Sequence, residues 1–107
     1  PEAVRLAGKI ASQLTPLRAM SVAITEKLTR GESPVVEAAL VKDLGTGVEQ
    51  LIPAAIADDL CSRESQDIPL ELLQTLNYVT QVAPSYSLRG GTRDILRGMI
   101  ARGLGLR

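Results

Sequence analysis

The sequence predicts an all-α fold, an antiparallel four-helix bundle forming a single domain over residues 1–107. Three observations carry this. Apolar residues recur at three- and four-residue spacing through most of the chain, and no stretch alternates apolar and polar side chains as a half-buried strand does. Proline and glycine fall where helices start and stop. The candidate core is Leu, Ile, Val, Ala and Met, because the chain has no Phe or Trp and its only aromatics are Tyr78 and Tyr86. A chain of this size buries roughly 60–70% of its unfolded surface, enough for one continuous core.

Residues 2–30 predict the first helix. Leu6, Ile10, Leu14, Leu17, Ile24 and Leu28 form a seam, with Ser21 in the skipped place. Pro16 either bends one long helix or starts a second behind a Thr15 cap; a kinked but continuous helix is the favoured reading. Gly31 suits the left-handed position after the helix. Ser33-Pro34 then reads as an N-cap followed by proline at the first helical position, opening a second helix that runs to about Ser62. Leu40, Leu44, Val48, Leu51, Ile52, Ala55, Ile56 and Leu60 mark its expected buried face. Gly45, Gly47 and Pro53 weaken it, each glycine by about 1 kcal/mol relative to alanine. Small residues at 45, 47, 54, 55 and 57 are expected to admit a close neighbouring helix.

Residues 61–67 read as a polar turn, and Ile68-Pro69 opens a third helix carrying Leu70, Leu72, Leu73, Leu76 and Val79. It should fail by Ala83-Pro84, since proline disfavours helix in the preceding residue. Pro84–Ser87 is expected to be loop. Gly90-Gly91-Thr92 leads into the fourth helix, capped by the Thr92 hydroxyl, with Ile95, Leu96, Met99, Ile100 and Leu104 on its apolar face. Asp94 suits the positive end of the helix dipole; Arg93 does not, and so points to an anionic neighbour.

Net charge is zero but unevenly spread. Residues 1–31 carry five bases against two acids, 32–71 nine acids against two bases, and 72–107 five arginines against Asp94. The acidic middle can tie the basic ends together or simply form solvated faces. A chain that is not basic as a whole, with arginines that come without aromatic residues for base stacking, argues against nucleic-acid binding. Without histidine there is no Cys/His metal set, and lone Cys61 has no base to activate it. No apolar run reaches the roughly 20 residues that span a membrane, and no secretory leader is recognisable. A cytoplasmic setting is expected.

Two features can carry chemistry. The Gly90-Gly91-Thr92 turn can offer backbone N–H groups to a phosphate or carboxylate. Arg93 and Arg97 lie one turn apart with Arg89 just before them, and can either clamp a pyrophosphate or form a solvated or partner-facing stripe. Asp58 and Asp59 are adjacent and diverge on a helix, so they make no carboxylate dyad.

The run Leu88-Arg89-Gly90-Gly91-Thr92-Arg93-Asp94-Ile95-Leu96-Arg97, followed by Ile100-Ala101-Arg102 and Gly103-Leu104-Gly105-Leu106, closely resembles the C-terminal signature of acyl-CoA dehydrogenases. There an aromatic-(Glu or Gly)-Gly-Thr-x-(Glu/Gln)-Ile-x-Arg run leads into a last helix ending Ile-Ala-Arg. The likeness covers essentially the whole chain and is strong from Leu88 onward. It implies the C-terminal helical bundle of a longer FAD-dependent oxidoreductase of lipid metabolism. Such enzymes remove hydrogens from the α and β carbons of an acyl-CoA thioester and pass a hydride to FAD. It also implies that Thr92, Arg93 and Asp94 contact FAD, that Gly91 lies against the acyl-CoA substrate, and that the bundle makes homo- or hetero-oligomer contacts.

Three departures qualify the resemblance. Gly90 occupies the position of the family's catalytic glutamate and offers no general base. Cys61-Ser62-Arg63-Glu64-Ser65 stands where the family's Gln-x-x-Gly-Gly-x-Gly cofactor turn should follow Leu60. Arg89 replaces an aromatic, as in subunits that pair with a catalytic partner in hetero-oligomeric dehydrogenases, some acting on steroid side chains. The expectation is therefore a domain inactive by itself, from a dehydrogenase or from a subunit with weakened or no catalysis. The alternative is a free-standing helical interaction module without cofactor.

Overall fold

The computed structural model describes residues 2–63 and 67–106, and they form four α-helices with no strand among them. The helices are α1 (Glu2–Thr29), α2 (Val35–Ser62), α3 (Leu70–Val82) and α4 (Arg93–Gly103), with a short 3₁₀ helix, Ala83–Ser87, extending α3. None is long and apolar enough to cross a membrane.

Helix α1 runs unbroken through Pro16 for 28 residues. Thr15 does not cap a new start; its hydroxyl donates to the Ala11 carbonyl at 2.8 Å, one turn back. The helix ends where expected. Gly31 adopts φ +79°, its N–H reaching Leu28 O and that of Glu32 reaching Lys27 O, each at 3.0 Å. That pair of bonds satisfies carbonyls the helix leaves open, in a backbone conformation a Cβ would strain.

Helix α2 begins one residue later than Ser33-Pro34 suggests. Pro34 takes the cap position with ψ 62°, outside the helical region, and no side chain caps the helix. Buried Pro34 docks the chain entry, and Ser33 contributes only its carbonyl, accepting from Val35 N at 2.9 Å. The far end at Ser62 is as the spacing predicts; Glu64, Ser65 and Gln66 of the expected 61–67 turn lie outside the described residues. The stretch after α3 is not open loop. Ala83, expected to leave the helical region ahead of Pro84, stays helical (φ −53°, ψ −38°) and opens the 3₁₀ turn, and Gln50 of α2 donates to its carbonyl at 3.0 Å.

All the other helices pack on α2. Lys27 near the end of α1 pairs with Glu37 near the start of α2 at 2.9 Å, while Leu6 and Lys9 line a cleft with Asp59 and Ser62, so α1 and α2 are antiparallel. Helix α4 also runs back along α2, from Arg93 beside Gly47 to Gly103 against Val36.

The buried face of α2 differs from the expected one. Ala39, Asp43, Thr46 and Pro53 turn inward, whereas Leu40, Leu44 and Leu51 stay 37–46% exposed. Small side chains let α4 approach and Asp43 receives its arginines, so that face wins over the leucines. The close approach comes at Gly103, where a Cβ would collide with Val36 Cγ2, and not at Gly45, whose surroundings are open. On α4 itself Leu96 is buried, whereas Ile95 and Leu104, expected on the same apolar face, are 57% and 67% exposed.

Replacing Gly103 with valine should destabilise the chain by about 1–3 kcal/mol in chemical denaturation, because Val36 is stiff at χ1 and cannot swing aside. Adding Val36→Ala should recover part of that loss; a double mutant no better than Gly103→Val would show that the contact is not the cause.

Candidate functional site

The turn at residues 90–92 sits over the middle of α2. Gly90 and Gly91 have φ +70° and +104°, which turns the chain sharply into α4. Thr92 is extended (φ −68°, ψ 160°) and its hydroxyl accepts from Ile95 N at 3.4 Å, the cap the sequence predicts. Space here is tight on one side: a Cβ on Gly90 would stand 3.0 Å from Lys42 Cε, and one on Gly91 3.4 Å from Leu96 Cδ2.

The anionic neighbour that Arg93 requires is a side chain of α2. Arg93 Nε donates to Asp43 Oδ1 at 2.7 Å, and Arg97 Nε to the other oxygen, Oδ2, at 3.4 Å. Asp43 is 7% exposed. The hydrogen bond from Arg93 holds its carboxyl below the ordinary aspartate value; burial opposes this, and the charges of Arg93 and Arg97 reinforce it. Arg93 is raised in turn by Asp43 and stays charged. Its guanidinium lies beside Gly47, where a Cβ would be 3.5 Å from Nη2.

Arg89 is engaged as well, pairing with Glu49 and lying 4.5 Å over the Tyr86 ring. The three arginines open to either a pyrophosphate or a partner therefore bind α2 carboxylates, one of them shared. Lys42 completes the cluster, donating to Thr46 Oγ1 at 3.1 Å.

The expected cofactor residues separate by orientation. Thr92 is half-buried and spends its hydroxyl on the cap, Arg93 faces α2, and Asp94 is exposed at the start of α4. Gly91 is half-buried above Leu96. Asp58 is exposed while Asp59 pairs with Arg63, and Cys61 is a free, exposed thiol. Among the described residues no cluster of His, Cys, Asp and Glu could hold a metal ion.

Sequence reasoning singled out neither Asp43 nor Lys42. The available signal was the acidic middle opposite an arginine-rich end, which says that pairing is possible but not which carboxylate is buried. Compared with protein-family models, curated proteins and solved structures, the chain matches none.

Asp43→Asn should cost about 1.5–3 kcal/mol, the range for hydrogen bonds to charged groups, and Arg97→Ala less, since that side chain is more exposed. Because the folded-state carboxyl is depressed, its contribution is complete above the ordinary value of 3.8 and lost as pH falls through the lowered one. Glu37, lowered by its hydrogen bond to Lys27, acts in the same direction. Acid titration of the wild type against Asp43→Asn, followed by circular dichroism, checks this: the gap between them should close only in that acid range.

Proposed function

We propose that this chain is the C-terminal helical-bundle domain of an acyl-CoA dehydrogenase-like flavoprotein, with α1, α2 and the α3–α4 segment as the elements of an antiparallel four-helix bundle. The observation that supports this reading is the glycine-glycine-threonine turn delivering a capped last helix, with the Ile-Ala-Arg run, 100–102, at its end. The whole protein would oxidise the α,β bond of an acyl-CoA thioester, FAD taking the hydride when bound. Thr92 and Asp94, at the positive end of α4, are chemically suited to a flavin's polar edge. Arg93, committed to Asp43, would serve by holding the turn in place. Gly91 would border the acyl-CoA.

Gly90 bears no proton-accepting group and leaves little room for one beside Lys42. This favours a subunit with weakened or no catalysis, or one whose base lies elsewhere in the parent. Acyl-CoA would be reached through other domains, in a cytoplasmic homo- or hetero-oligomer.

A second reading, a helical interaction module without cofactor, is favoured by the commitment of all three arginines to α2 carboxylates.

Flavin occupancy separates the two. In the full-length protein, Asp94→Ala or Thr92→Ala should lower bound FAD measured by absorbance after gel filtration; unchanged occupancy in both would sink the flavin contacts. The 107-residue chain alone, given FAD, acyl-CoA and an electron acceptor, should show no turnover, and steady acceptor reduction would overturn the assignment of an inactive domain.

A further inference from the structure

Between the C-terminal half of α2 and the end of α3 lies an open cleft of about 450 Å³, within the range of about 300–1,000 Å³ that small-molecule sites occupy. Pro53, Ala54 and Ala57 of α2 form one wall. Thr80, Ala83, Pro84 and Ser87 form the other, and the hydrogen bond from Gln50 to Ala83 ties the two together. No residue of the Asp43 fork or of the 90–92 turn takes part.

The polar side chains of this cleft have turned their hydrogens back onto the chain. The Thr80 hydroxyl donates to the Leu76 carbonyl at 2.7 Å, and the Ser87 hydroxyl to the Pro84 carbonyl at 3.0 Å. The Gln50 amide spends one of its two N–H bonds on the Ala83 carbonyl at 3.0 Å. What is left for a guest is mostly oxygen: Thr80 Oγ1, Ser87 Oγ and Gln50 Oε1, each an acceptor with lone pairs to give.

The two prolines in the walls add to this. Proline brings no N–H, so Pro53 deprives the Glu49 carbonyl of the donor four residues on, and Pro84 does the same to the Thr80 carbonyl. Among the described residues no side chain donates to either carbonyl in its place. The cleft is thus rich in acceptors and poor in donors. No ionisable side chain lines it. A charged guest would give up hydration there without a counter-charge, and a guest carrying only acceptors would set lone pairs against lone pairs.

We propose that this cleft binds a small uncharged molecule with an apolar body and an N–H₂ group at its edge, a primary carboxamide or an amine on an aromatic ring. The body lies over Pro53, Ala54 and Ala57, whose short side chains leave it room. The N–H₂ group donates to the oxygens of Gln50, Thr80 and Ser87. This site is independent of the flavin reading and holds for either function above.

Benzamide and methyl benzoate test the proposal, because they match in body and only the first donates. In nuclear magnetic resonance titrations of the isotope-labelled chain, without flavin, millimolar benzamide should saturably shift the Gln50 side-chain amide and the backbone amides of Thr80 and Ser87. Methyl benzoate should bind at least about threefold more weakly, and benzoate, the anion of the same body, should not bind. Thr80→Val and Ser87→Ala, which keep the shape and remove an acceptor, should each weaken benzamide about threefold and leave methyl benzoate unchanged. Ala57→Leu, which a helix tolerates, should fill the cleft and abolish binding; Ala54→Leu is the second variant should Ala57→Leu lose helicity. Absence of saturable shifts, benzamide no tighter than methyl benzoate or benzoate, or shifts that survive a filled cleft overturns the proposal.

Discussion

One buried carboxylate sets the register of this molecule. Asp43 has two oxygens, and Arg93 and Arg97, one helical turn apart, take one each. A charge at that depth costs several kcal/mol unless paired, so α4 cannot slide along α2 without stranding it. With the fork in place, Gly103 falls against Val36 and the Arg93 guanidinium lies on Gly47.

That constraint shapes the packing around it. The face of α2 that receives α4 must be small and polar where the arginines enter, so Ala39, Asp43 and Thr46 are buried there. Leucines that a helical wheel assigns to the core are turned aside. Hydrophobic burial then comes from scattered contacts, with Leu96, Ala39, Ala83 and the prolines at 34 and 53 as the buried apolar side chains among the described residues. A chain 53 Å long and little more than 20 Å across keeps much of its apolar surface outside. The exposed α2 leucines and the polar α2–α4 seam are two results of one choice of face.

The same seam bears on the glycine turn. Arginines at a helix N-terminus suggest an anionic ligand, but here the anions are internal. Arg89 and Arg93 anchor the two sides of the 90–92 turn to Glu49 and Asp43, and Lys42 fills the space beneath Gly90. The turn is therefore presented by α2 as a braced feature. Its outward groups are the α4 N-terminus and Asp94.

Much of the secondary structure is legible in the sequence because its causes are local. Gly31 ends α1 since only a residue without a Cβ takes that conformation freely, and Thr92 caps α4 through its own hydroxyl. The α-helix α3 ends at Val82, but Ala83 before Pro84 keeps a helical backbone (φ −53°, ψ −38°) and the chain continues as a 3₁₀ turn. The proline therefore does not drive its neighbour out of the helical region. Helix α2 starts one residue later than Ser33-Pro34 suggests, with Pro34 buried at the cap position and Ser33 exposed. Periodicity marked α2 as apolar on a broad arc and could not say which part faces α4. That depended on an aspartate meeting two arginines some fifty residues away. Local chemistry determined where helices begin and end; the pairing of distant charges decided which faces meet.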